Sequence, residues 1–207
     1  MKDLDVKICG LTCADDALKA LELGADFLGF VLYAKSPRGI TVDRLEAIRG
    51  QLPADCRTVG VFVNAPPEAV RHAAERCRLA AVQIHGDEPP DGFQSMAVPV
   101  WRAVHLRNGE CVPAPARWPA GRYVIDAAPP GLYGGSGETA DWDRAAAVAK
   151  ACRAMLAGGL TAANVSEAIT RVHPAGVDVS SGVEASPGKK DYAKVAAFIT
   201  AARAAVV

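Results

Sequence analysis

Two chemistry-bearing residues stand where strand-like runs of this sequence end. In Val6-Lys7-Ile8-Cys9-Gly10-Leu11-Thr12, a lysine and a thiol share one face of a short strand, because side chains alternate along it. Tyr123-Val124-Ile125-Asp126 closes another apolar run with a carboxyl group, and partial desolvation there favours a protonated fraction. A thiol and a carboxylic acid on one rim supply a proton acceptor and a proton donor. Such a pair suits isomerisation, in which one atom is protonated while a C–H proton leaves another. Each residue also has a plainer reading. An unpaired cysteine is most often a small buried apolar side chain. A strand-end aspartate serves equally well as a cap on the following loop. A free thiol titrates near about 8.5, so Cys9 needs a lowered value or a proton-transfer partner to act as a base.

Two glycine-rich segments end later strands: Leu156-Ala157-Gly158-Gly159-Leu160-Thr161 and Ser180-Ser181-Gly182-Val183-Glu184. Glycines let backbone N–H groups approach an anion, and serine hydroxyls add donors. A turn explains either segment alone; together, at adjacent strand ends, they favour a phosphate site built from Gly158, Gly159, Ser180, Ser181 and Gly182. Gly134-Gly135-Ser136-Gly137 lacks the Gly-Lys-Ser/Thr ending of a P-loop, and Gly135 and Ser136 read better as part of a lid. Arg38, in Ser36-Pro37-Arg38, is a cation suited to a bidentate carboxylate contact, although by itself it reads as a solvated loop charge. His85 has no neighbouring Cys or His ligands, so it reads as a hydrogen-bonding rim residue rather than a metal ligand. No metal-ligand spacing occurs among the cysteines.

These residues need a scaffold that brings distant strand ends together. Strand and helix patterns alternate along the 207 residues. Strands are predicted at 6–9, 27–31, 58–62, 81–85, 100–106, 123–127, 155–157 and 176–180. Helices are predicted at 14–23, with Thr12 as N-cap, and at 43–50, 66–77, 142–152, 161–172 and 191–206. Residues 107–121 carry three prolines and little helical periodicity, so a fifth helix is weak or irregular. Eight strands with mostly helical connections indicate a single (β/α)8 TIM barrel spanning residues 1–207, whose active site lies where strands end and βα loops begin. A doubly wound sheet is the rival, but no GxGxxG follows the first strand. Lys7 and Asp178 occupy inward positions of the first and last strands, which are neighbours in a closed barrel, and are predicted to pair inside it.

Composition narrows the class further. The formal net charge is zero and no Lys/Arg run occurs, so neither a nucleic-acid nor a membrane surface is expected. No stretch approaches the ~20 apolar residues of a membrane span, and no secretory leader is read at the N-terminus. A cytoplasmic monomer with six reduced cysteines is the expectation.

The combined motifs resemble one family. Val6–Thr12, Gly60-Val61-Phe62-Val63-Asn64, Val82–Gly86 and Gly134–Gly137 carry the resemblance, with Leu156–Leu160 followed by Asn164-Val165. Gly176–Glu184 with Ser186-Pro187-Gly188-Lys189-Lys190-Asp191 completes it. The chain is similar to phosphoribosylanthranilate isomerases from Lys7 to about Phe198, departing mainly at residues 107–121. The resemblance implies an Amadori rearrangement of N-(5-phospho-β-D-ribosyl)anthranilate in tryptophan biosynthesis, without a cofactor and with a small phosphorylated substrate as partner. By the same resemblance Cys9 is the general base, Asp126 the general acid and Arg38 the holder of the anthranilate carboxylate. The two glycine loops are the phosphate clamp. One tension follows: a thiol base must be ionised while the carboxyl group is protonated, the reverse of their ordinary acidities. Two rivals are another sugar-phosphate isomerase on the same barrel and a non-catalytic binder of phosphate ligands. The first normally ends both catalytic strands in carboxylates, whereas Cys9 ends the first strand here.

Overall fold

The computed structural model describes residues 4–107, 110–126 and 142–206. Eight parallel strands alternate with connections: β1 Asp5–Ile8, β2 Phe27–Val31, β3 Thr58–Phe62, β4 Ala81–Ile84, β5 Val100–Arg107, β6 Arg122–Asp126, β7 Ala154–Leu156 and β8 Gly176–Val179. Each pairs with its sequence neighbours, and β8 pairs with β1, so the sheet closes. Closure leaves no edge strand, and with side chains packed on both faces the strands read as near-continuous apolar runs.

Strand parity sends one set of side chains inward and the other out to the helices. Phe27, Val59, Ala81, Trp101, Val124 and Met155 form the inner cluster. Phe27 and Trp101 meet edge-to-face at 4.9 Å, with the Arg122 guanidinium over Trp101 and 2.6 Å from Asp5. This floor blocks the N-terminal end of the barrel and leaves its C-terminal end for a cavity.

Lys7 and Asp178 occupy the next inward level, in register between β1 and β8. Lys7 Nζ donates to Asp178 Oδ2 at 2.8 Å, and the lysine is fully buried. The pair predicted from strand position is present.

Six helices lie among the described residues: α1 Ala14–Glu22, α2 Val42–Arg49, α3 Pro67–Arg76, α4 Trp142–Ala151, α5 Val165–Val172 and α6 Tyr192–Ala204. Helix α6 starts at a strong cap, the Asp191 carboxylate accepting from the Ala193 and Lys194 N–H groups. The expected cap of α1 requires correction. Cys13 is the N-cap residue and makes no side-chain cap bond, while Thr12 Oγ1 donates to the Gly188 carbonyl at 2.7 Å. Thr12 lies one residue too early to cap and instead ties the first βα loop to the last. Helix α5 begins four residues later than the expected Thr161, because the Asn164 side chain folds back onto the Thr161 N–H.

The weak fifth unit has a physical cause. After β5 the chain reverses into a short antiparallel strand, Glu110–Val112, and then turns through residues 114–118. No helix forms among the described residues there, nor at 86–99 between β4 and β5. These two connections pack on each other instead. The Trp118 indole donates to the Glu88 carbonyl at 2.9 Å, and its ring lies 5.8 Å from that of Phe93. Trp118 and Phe93 are both buried, covering barrel wall that helices cover elsewhere. Among the described residues no helix is long and apolar enough to cross a membrane.

Breaking the buried pair strands a charge inside the barrel. Lys7→Met is expected to cost about 3–5 kcal/mol in urea unfolding, with part of the loss recovered in Lys7→Met/Asp178→Leu. A single-variant cost below about 1 kcal/mol would place the pair among exposed ion pairs in strength.

Candidate active site

The strand ends surround a cavity of about 360 Å³ lined by Cys9, Arg38, Gln83, His85, Asp126, Gly158, Gly159, Asp178, Ser180, Ser181 and Gly182, among others. Every site residue expected from sequence lines it except Gly135 and Ser136, which lie outside the described residues together with the proposed lid. The C-terminal rim of a closed barrel explains the gathering, since residues far apart in sequence finish their strands at one level.

Cys9 follows β1, its N–H donating to the Val179 carbonyl at 2.8 Å, so β8 holds its backbone in place. On the other side stands Gly29 of β2. A Cβ there would lie 2.7 Å from Cys9 Sγ and 3.0 Å from Lys7 Cε, so only glycine leaves room for both side chains. Burial pushes the Cys9 thiol above its ordinary value of 9.0; the Lys7 ammonium pulls it back and the Asp178 carboxylate reinforces the rise. The net direction is upward, and the thiol is the resting form at neutral pH. Burial also opposes the Lys7 charge, yet Asp178 and the Cys9 sulfur outweigh it and hold the lysine protonated.

From Lys7 a line of polar side chains crosses the barrel interior. Lys7 Nζ donates to Gln83 Oε1 at 3.1 Å, and Gln83 Nε2 lies 2.9 Å from His85 Nδ1. His85 Nε2 is 3.2 Å from Asp126 Oδ2, short of the alignment of a hydrogen bond. Gln83, His85 and Asp126 are all buried.

Arg38 differs from the solvated cation that its loop suggests. Its Nε and Nη2 form a fork on the Glu184 carboxylate at 2.8 and 2.7 Å, and Lys190 Nζ approaches the same carboxylate at 3.0 Å. Hydrogen bonding to Glu184 raises Arg38 further above its ordinary range. Burial works against the Glu184 charge, but Arg38 and Lys190 prevail and lower its value. Burial lowers Lys190, against the pull of Glu184. The fork fixes the guanidinium at the cavity wall, and Nη1 makes no hydrogen bond to a described residue.

The two glycine loops meet on the β7–β8 side. A Cβ on Gly182 would run into the Leu160 carbonyl oxygen, so that close approach admits only glycine. Asn164 stiffens the first loop, its Nδ2 donating to the Gly159 carbonyl at 3.0 Å while its Oδ1 accepts from the Thr161 N–H at 2.8 Å. The buried Ser180 Oγ has no hydrogen-bond partner among the described residues. It is a hydroxyl available to a ligand oxygen.

Sequence reasoning missed Gln83, Glu184 and Lys190. Gln83 carried a signal, as a polar residue at the inward position of an apolar strand, two before His85. Glu184 and Lys190 carried none, because a hairpin of Glu184–Ser186 with Lys189–Lys190 brings them together. Among the described residues, no group of three or more His, Cys, Asp or Glu side chains is arranged to hold a metal ion.

A closed (β/α)8 barrel whose rim joins a thiol, a carboxyl group, an arginine fork and two apposed glycine loops defines a barrel enzyme for small anionic substrates. The family model described as N-(5'phosphoribosyl)anthranilate (PRA) isomerase matches residues 6–201. The chain belongs to that family. It is 46% identical over 198 residues to N-(5'-phosphoribosyl)anthranilate isomerase of Geobacter sulfurreducens, covering 96% of this chain and 98% of that one. A crystal structure of monomers generated from the dimeric isomerase of Thermotoga maritima superposes with TM-score 0.87 at 38% identity, covering 98% of this chain and all of that one. A family member in complex with reduced 1-(o-carboxyphenylamino)-1-deoxyribulose 5-phosphate matches with TM-score 0.86, also at 38% identity and the same coverage.

Because the Glu184 carboxyl lies below its ordinary value of 4.5, its stabilising contribution is whole above that pH and is lost as pH falls through the lower folded value. Glu184→Gln is therefore expected to be less stable than the parent protein at neutral pH, with the gap closing in acid. Urea unfolding at a series of falling pH values reads it; a gap that does not change with pH would contradict the assignment.

Proposed function

We propose that Cys9 and Asp126 are the general base and general acid of this enzyme, with Arg38 and the two glycine loops holding the ends of the substrate. The reaction is the Amadori rearrangement of N-(5-phospho-β-D-ribosyl)anthranilate to 1-(2-carboxyphenylamino)-1-deoxy-D-ribulose 5-phosphate, an isomerisation in L-tryptophan biosynthesis. The observation that carries the residue assignment is the joint position of Cys9, Asp126, Arg38 and both loops around one cavity.

In this reading Asp126 gives its proton to the furanose ring oxygen as the C1′–O bond breaks, opening the ring to a protonated Schiff base. The Cys9 thiolate takes the proton from C2′, and that electron pair moves to neutralise the iminium as an enolamine. Tautomerisation moves the 2′-hydroxyl proton to C1′ and leaves the ketone. Arg38, steadied by Glu184, faces the anthranilate carboxylate with its remaining nitrogen. The backbone at Gly158, Gly159 and Gly182 and the hydroxyls of Ser180 and Ser181 receive the phosphate. The chain works as one catalytic domain in the cytoplasm.

The raised thiol sets the pH behaviour. A carboxyl group ordinarily ionises well before a thiol, so the reactive form, thiolate with carboxylic acid, is a small and constant fraction between the two titrations. It disappears once both groups are ionised. The profile of kcat/KM is expected to be flat through neutrality and to fall on the alkaline side above the ordinary thiol value of 9.0. An alkaline limb well below that value would detach it from Cys9.

Cys9→Ser and Asp126→Asn are each expected to lose roughly a hundredfold to ten-thousandfold in kcat, with KM nearly unchanged. Loss of substrate fluorescence in a steady-state assay measures both constants. Near-normal turnover in either variant removes that residue from its role.

A further inference from the structure

Asp126 faces a difficulty beyond its pairing with a thiol. An imidazole stands 3.2 Å away, and by ordinary acidities an imidazole takes the proton of a carboxylic acid. A His85 imidazolium beside an Asp126 carboxylate would leave no acid to open the ribose ring. The interior of the barrel contains a device against that outcome.

Its origin is the Lys7 ammonium, which has three donors and no acceptor. Placed 3.1 Å from the Gln83 amide, it requires the oxygen of that amide to face it. The NH2 group of Gln83 must then face His85 Nδ1, 2.9 Å away. An Nδ1 approached by a donor serves as an acceptor, so the ring proton sits on Nε2, the atom beside Asp126. A second ring proton at Nδ1 would set two donors against each other in a buried site, which costs more than a missing bond. The other groups near the ring are Asp126 at Nε2 and His105, whose ring lies edge-on at 5.7 Å.

We propose that Gln83 is a positioning residue: oriented by Lys7, it holds His85 as the neutral Nε2–H tautomer, so that His85 cannot take the proton Asp126 must give to the substrate. Lys7 thereby serves both ends of the reaction, lying beside the Cys9 sulfur and, through one amide, setting the proton of His85. The proposal rests on the assignment of Asp126 as the acid, but the tautomer itself does not.

The test combines a spectroscopic signature with a kinetic split. In protein labelled with nitrogen-15 at its four histidines, the resonances absent from a His85→Asn variant identify the ring. The wild-type ring is expected to show an unprotonated Nδ1 and a protonated Nε2 at neutral pH. Gln83→Glu puts a carboxylate where the NH2 group stood. It is expected to protonate Nδ1 and to lower kcat roughly tenfold or more, with KM changed less than about twofold. Should Gln83→Glu fail to fold by circular dichroism, Gln83→Met removes the amide without adding charge and is expected to lower kcat in the same sense. A wild-type Nδ1 that carries the proton overturns the proposal. So does a folded Gln83 variant with unchanged kcat, or one whose loss lies in KM. Full activity in Asp126→Asn would instead overturn the acid assignment while leaving the His85 tautomer as observed.

Discussion

A buried ammonium organises this barrel. Lys7 sits at full burial between the first and last strands, where the sheet must close, and an unpaired charge there would be prohibitive. Every neighbour within reach therefore answers it. Asp178 supplies the counter-charge, Gln83 turns its oxygen inward, and the Cys9 sulfur lies on the side left open by Gly29. Closure of the barrel and polarisation of the site are consequences of one placement. The aromatic floor of Phe27 and Trp101 lies below this level and the cavity above it. Lys7 marks the boundary between packing and chemistry.

A second constraint acts at the opposite wall. Arg38 belongs to an irregular loop and would sweep a wide arc if free. Glu184 holds two of its nitrogens, and Lys190 compensates the carboxylate from behind. The same segment carries Ser180 and Gly182, so one stretch of chain both aims the arginine and shapes the glycine loop. Thr12 and Gly188 lock that stretch to the β1–α1 loop. The Arg38 guanidinium and the Ser180–Gly182 loop are thereby held at a fixed separation from the thiol, which is what orientation requires of a site built from distant segments.

Local pattern made most of this molecule legible. Short strand-like runs at Val6–Cys9 and Tyr123–Asp126 put the thiol and the carboxyl group at strand ends, and eight such runs alternating with mostly helical connections implied closure. The pairing of Lys7 with Asp178 followed, because parity and strand adjacency are enough to bring two inward residues together. The failure at Thr12 was equally physical. Thr12 has the chemistry of a cap, yet the Gly188 carbonyl is the acceptor it meets. The absence of a regular fifth helix was legible from the prolines of 107–121, but not that Trp118 and Phe93 cover the wall around β5 in its place.

The sequence by itself determined which chemical groups exist and at what level of the barrel each stands, because strand parity is a local rule. Beyond the Lys7–Asp178 pair, tertiary structure decided their partners. Glu184 and Lys190 reach Arg38 through a hairpin, and the Gln83 amide, symmetrical in outline, takes its orientation from an ammonium on another strand. A hydrogen bond depends on direction over about 3 Å, and direction across a closed barrel is set only when all eight strands are in register.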